Sequence, residues 1–183
     1  MRLLGRLLLI FLLLQGCSEK RPQAVPRPQA WPRLAEMPAT YQAAVGLMIN
    51  DSARIDKGES EGWFDIVYPA YNVRINCTLT SVSTPEELQN VIDNRLERLE
   101  RNAGGAAGQL IELTSDGGWG CLLMSTPEAV ATPVQFLATD SVSHLFSGTA
   151  VFSGRELKVD SIAPAVAVIE RDLIYMLRNI NDL

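Results

Sequence analysis

The tetrad Leu14-Gln15-Gly16-Cys17 limits this chain most, because it decides how much of the chain is left to fold. Arg2 and Arg6 form a basic start, Leu7 to Leu14 an apolar run, and Gly16 a small residue at the cutting point. That is the layout of a secretory signal peptide, removed before folding. The tetrad looks like a bacterial lipobox, where the cysteine sulfur is acylated and the chain is then cut just ahead of it. Spanning a bilayer takes ~20 apolar residues, and this run is shorter and broken by Arg6. An ordinary secretory signal carrying a chance cysteine is the competing reading. With the lipid in place, each buried acyl methylene contributes ~0.8 kcal/mol, so a multiply acylated Cys17 holds the chain at a membrane.

Residues 1–16 are thus a signal peptide, 17–40 a lipidated tether, and 41–183 the part that packs. Cleavage removes Arg2 and Arg6 and moves the formal charge from −5 to −7. The remaining charges are dispersed and no basic patch forms, which argues against nucleic-acid binding. An acidic surface gives no adhesion to anionic headgroups either, which leaves membrane contact to the anchor. The tether carries Pro22, Pro26, Pro28, Pro32 and Pro38, and Arg21-Pro22-Gln23-Ala24 recurs as Arg27-Pro28-Gln29-Ala30. Fixed φ angles and missing donors predict extended polyproline II. Trp31, Leu34 and Met37 break its polarity and either dock back on the domain or meet a partner.

Val45, Leu47 and Ile49 alternate as a half-buried strand, and Asn50-Asp51-Ser52 reads as a turn. After a polar loop at 57–62, Trp63 to Tyr68 is a strand stopped by Pro69, and Tyr71 to Thr80 alternates cleanly, so the two pair as a hairpin. Thr84-Pro85-Glu86-Glu87 is a helix start with a cap, a proline at the first position and a capping-box glutamate. Leu88, Val91, Ile92, Leu96 and Leu99 follow as an apolar stripe, with Arg95 among the charges opposite, up to Gly104-Gly105. Four more strand-like runs follow at 109–114, 119–124, 133–139 and 145–153, the first two turning at Asp116-Gly117-Gly118. A last helix is expected from about Pro164, with Val166, Ile169, Leu173, Leu177 and Ile180 on one side. Strands joined by short turns predict an α+β domain: a mainly antiparallel sheet with two amphipathic helices packed on one face.

Cys77 and Cys121 both sit inward in strand phase. An oxidising export compartment permits a Cys77–Cys121 disulfide, and two free buried thiols fit equally well. His144 is the only histidine and no Cys-x-x-Cys occurs, so no metal or other cofactor is expected. Asp65 and Asp140 lie in or beside strands, within sequence reach of Arg74 and Arg155 as ion-pair partners. Asp140-Ser141-x-x-His144 is the one constellation with catalytic residue types. It lacks the Gly-x-Ser-x-Gly elbow and reads best as a hydrogen-bonded turn between the last two strands. No catalytic residue is assigned.

From Trp63 onward the chain resembles the D-type gliding-motility lipoproteins (GldD family) of Bacteroidota. The densest likeness is Pro133 to Ser141 with His144 and Gly148, which is similar to the family's Gln-Phe, Thr-Asp-Ser, His and Gly block at Gln135, Phe136, Thr139, Asp140 and Ser141. Asp160 to Pro164 resembles its Asp-Ser-Leu-Ala-Pro, Phe64 to Tyr71 its Tyr-Pro strand, and Asp93-Asn94-Arg95 its Asp-Ser-Arg. Pro26-Arg27-Pro28 through Trp31, Arg33 and Leu34 echoes its proline-rich start. Leu96 to Leu99, the glycine-rich 102–108 and Cys77 depart from the family pattern. The resemblance implies a non-enzymatic accessory of gliding motility and type IX protein secretion, partnered by the membrane and by other envelope proteins of that apparatus. The periplasmic face of the outer membrane is the favoured location. Two other functions compete with it: a lipoprotein binding a small apolar or envelope-derived ligand between sheet and helices, near Trp63 and Trp119, and a hydrolase at His144.

Overall fold

The computed structural model describes residues 40–154 and 156–183. The Gly16–Cys17 cleavage point, the tether with Trp31, Leu34 and Met37, and Arg155 lie outside the described residues. The chain opens with a hairpin, β1 (Tyr41–Ala44) and β2 (Leu47–Asn50), that forms its own two-stranded sheet. Seven further strands make one antiparallel sheet: β3 (Arg54–Lys57), β4 (Trp63–Tyr68), β5 (Val73–Ser81), β6 (Gln109–Thr114), β7 (Gly120–Ser125), β8 (Val134–Thr139) and β9 (His144–Phe152). Their lateral order is β3-β4-β5-β9-β8-β7-β6. It consists of two meanders that meet at the nine-residue β5–β9 pair. Helix α1 (Pro85–Ala103) carries the chain from β5 to the far edge, and α2 (Val159–Arg178) follows β9. The expected α+β class with an antiparallel sheet is what is found.

Local sequence explains most of these elements. The Glu87 N–H donates to Thr84 Oγ1 at 3.2 Å, and the Glu87 carboxylate accepts the Ser83 N–H at 3.0 Å, so the capping box closes one residue further back than usual. Gly104 ends α1 in the left-handed conformation. Pro69 stops β4 and opens a 3-10 turn over Pro69–Tyr71. The single early strand expected around Val45 is instead a hairpin, and Val45 occupies its tip at φ 46° beside Gly46. A β-branched residue there conceals the turn from sequence reading. Helix α2 starts at Val159, so Pro164 lies inside it rather than at its start. Burial of Ile162 and Ala165 on either side of Pro164 outweighs the helix hydrogen bond that proline removes.

The register separates the two faces of the sheet. Ile75, Ala150, Val134, Leu123 and Phe136 point to one side, with α2 and the β1–β2 residues Leu47 and Ile49 packed over them. Leu122, Leu137 and Leu145 alternate to the other side and meet Leu88 and Leu99 of α1. The two helices therefore cover opposite faces, not the same one. The inward face of α1 also differs from expectation: Leu96 is 36% exposed, while Arg95 is half-buried between Ile92 and Leu99.

Candidate functional site

The residues of the densest family-like block come together at the β8–β9 hairpin, and each has a structural task. Asp140 Oδ1 accepts the N–H groups of Val142, Ser143 and His144, each at 2.9 Å, which closes the turn. Thr139 Oγ1 accepts the Ser141 N–H and donates to the His144 carbonyl, and Ser141 sits at φ 62°. This is the turn that the residue types suggested. Burial alone would raise the Asp140 carboxyl, but those N–H donors and the His144 side chain hold it far below the usual carboxylate range.

The same loop shows why a hydrolase reading fails on geometry. His144 Nδ1 lies 2.9 Å from Asp140 Oδ2 and 2.9 Å from the Ser143 hydroxyl. A relay needs the acid on one ring nitrogen and the nucleophile on the other. Here both share Nδ1, and the serine at hand is Ser143 rather than Ser141.

Further along the block, Gln135 is 1% exposed and works as a staple. Its amide nitrogen donates to the Leu99 carbonyl at 3.2 Å and its oxygen accepts from Asn102 at 2.7 Å, which ties the end of α1 to the sheet. Gly148 faces the ring of Phe136; a Cβ there would lie 2.4 Å from a ring carbon, so only glycine fits without a shift.

Cys77 and Cys121 are free, buried thiols, which overturns the disulfide option. They share a face, as their phase indicated, but lie on β5 and β7 with β9 and β8 between them. Three strand steps of ~4.8 Å place them far beyond disulfide reach. Burial raises both thiols, Cys121 to about 11, so neither is a reactive thiolate at neutral pH.

A groove of about 630 Å³ lies on the α1 side. Two rows of residues form its floor, as the register shows: Trp63, Thr78 and Ser147, then Asp65, Asn76 and Thr149. Arg95, Arg98 and Asn102 of α1 form the wall. The expected Asp65–Arg74 ion pair is present at 2.5 Å, and Asn76 donates to the other Asp65 oxygen at 2.7 Å. Of the two tryptophans proposed to line a cavity, Trp63 borders this groove at 59% exposure, whereas Trp119 is buried in the opposite core.

One cluster escaped the sequence reading. Asp172 in α2 is 2% exposed and accepts from Tyr41 (3.0 Å), Asn50 (3.0 Å) and the neighbouring Arg171 (2.9 Å). The Tyr41 ring also stacks on Tyr175, with centroids 3.7 Å apart. Together these contacts lock the β1–β2 hairpin onto α2. The available signal was an aspartate lying beside Leu173 within the apolar stripe of an amphipathic helix.

Comparison with known proteins adds one result: the family model described as gliding motility lipoprotein GldD matches residues 21–181. No curated protein matches this chain.

Proposed function

Since the chain belongs to the gliding motility lipoprotein GldD family, we propose that it is a membrane-anchored, non-enzymatic accessory of gliding motility and of type IX protein secretion. Membership in a lipoprotein family implies association with the cell envelope. The observation that carries the reading is the extent of the match, which runs from the proline-rich segment through both helices to residue 181. In this reading residues 1–16 are cleaved as a signal peptide, Cys17 is acylated, and residues 17–40 set the domain from residue 41 off the membrane. The periplasmic leaflet of the outer membrane is the proposed location. Other envelope proteins of the gliding and secretion apparatus are the proposed partners, and anchoring raises the local concentration at which they meet.

A Cys17→Ala chain tests the proposal. It should fold normally, leave the membrane fraction, and fail to support secretion or gliding. Full function from the soluble form would overturn the role of the anchor. Affinity capture of the native chain from envelope, read by mass spectrometry, should return secretion or motility components. The groove beside α1 favours a second reading, a lipoprotein that binds an envelope-derived ligand. Its hydroxyl-bearing floor and paired arginines, with Leu99, Phe136 and Val151 also in the lining, suit a ligand that carries an anionic group beside apolar surface.

A further inference from the structure

We propose that the groove beside α1 binds a negatively charged saccharide, a sugar bearing a carboxylate or phosphate on a ring with free hydroxyls. The inference rests on the second reading above and is independent of the first. Strands β5 and β9 are internal, with neighbours on both sides, so their backbone groups are spent in the ladder. No peptide can add there as a strand, and side chains must do the recognising.

Those side chains are short and hydroxylic. Thr78, Ser147 and Thr149 make no side-chain hydrogen bond among the described residues, and Asn76 spends only its amide nitrogen, on Asp65. Hydroxyls and amides that both donate and accept, laid on a flat sheet face, match a polyol. Trp63 lies in the same row as Thr78 and Ser147 and is exposed, and the C–H side of a pyranose would lie against its ring.

The wall supplies the charge preference. Arg95 and Arg98 stand one turn apart on α1, and neither has an ion-pair partner among the described residues. Burial and the Arg98 charge both lower the Arg95 pKa, so the pair is uncompensated as it stands. An anion between them would gain charge-assisted hydrogen bonds and relieve that repulsion. The one carboxylate on the floor, Asp65, does not oppose this, because Arg74 and Asn76 occupy both of its oxygens. The groove's volume also falls within the range of small-ligand sites.

The test is calorimetric titration of the full chain in detergent with a galacturonic acid trimer, alongside maltotriose, inorganic phosphate and an acidic Gly-Glu peptide. The trimer should bind saturably, and maltotriose at least about tenfold more weakly. Arg95→Gln and Arg98→Gln should each weaken trimer binding by about tenfold, the expected size for a lost hydrogen bond to a charged group. Trp63→Ala, at an exposed position, should weaken it severalfold with unchanged thermal unfolding. Binding unaffected by either arginine change would overturn the proposal. So would an acidic peptide binding as tightly as the trimer, phosphate binding as tightly as the trimer without regard to Trp63, or no binding by any probe. Cys17→Ala should leave trimer binding intact, so failure of the anchor reading and failure of this one are read separately.

Discussion

The two faces of the seven-stranded sheet are built from the same strands and end up with different occupations. On the α2 side, a helix, the β1–β2 hairpin and the C-terminal Ile180 close over a continuous apolar core. On the α1 side, a single helix covers β7, β8 and the start of β9, leaving β4, β5 and the rest of β9 open as a groove. Width explains the difference. Seven strands at ~4.8 Å spacing span roughly 29 Å, while one helix with its side chains covers about 10 Å. A face with one helix must either leave apolar strands exposed or replace their side chains with polar ones. Here it does the second, so one face holds the fold together and the other keeps a surface for contact.

The largest expected effect tests whether stability belongs to the α2 side. Phe146, fully buried and packed against Phe136 with ring centroids 5.0 Å apart, should cost about 3–5 kcal/mol as Phe146→Ala, read from urea unfolding. Changes on the open floor such as Thr149→Ala should stay within about 0.5 kcal/mol. Equal costs on the two faces would break the comparison. Next, Gln135→Ala should cost about 1–2 kcal/mol by leaving the Leu99 carbonyl and Asn102 amide without their partner. Amide exchange should then quicken in α1 while α2 stays protected.

The Asp140 turn joins β8 to β9, and its contribution depends on pH. Its carboxyl titrates below the ordinary value of 3.8, so the stabilisation is complete above about pH 5 and lost as the pH falls through the lowered pKa. Asp140→Asn should flatten the acid limb of a stability-against-pH curve; an unchanged limb would contradict the capping role. On the hairpin, Val45→Asn should stabilise by about 1 kcal/mol, because asparagine accepts the left-handed conformation that strains valine. Smallest of all, Arg95→Met should leave stability unchanged within about 0.5 kcal/mol or raise it slightly, because methionine keeps the half-buried packing and removes a charge that burial disfavours.

Much of this was readable in advance. Thr84 to Glu87 encodes the start of α1, and period-2 alternation encodes β5. The Asp140 turn follows from residue types that replace backbone partners. The division of faces was also written down, though less openly. Phe136-Leu137-Ala138 and Leu122-Leu123 are continuous apolar runs, as strands covered on both sides require, whereas β5 alternates because one of its sides is open. What stayed hidden was lateral. Phase places Cys77 and Cys121 on one face correctly but says nothing of how many strands separate them. By residue type Leu96 belongs to the packed stripe, whereas the spacing from Leu88 through Ile92 to Leu99 puts Arg95 there instead. For the groove, each residue is ordinary in its own strand or helix, and only the pairing of β5 with β9 assembles them.

The clasp between Tyr41 and α2 has a mechanical consequence. Tension arriving from the chain ahead of residue 40 meets the hairpin at its open end, where Tyr41 pairs with Asn50. Loaded there alone, a two-stranded ribbon would peel open one rung at a time under little force. The Asp172 hydrogen bond and the Tyr175 stack divert that load sideways into α2, so the first rung can give way only when those two contacts break with it. A domain built to be pulled by its leading end would reinforce this residue first.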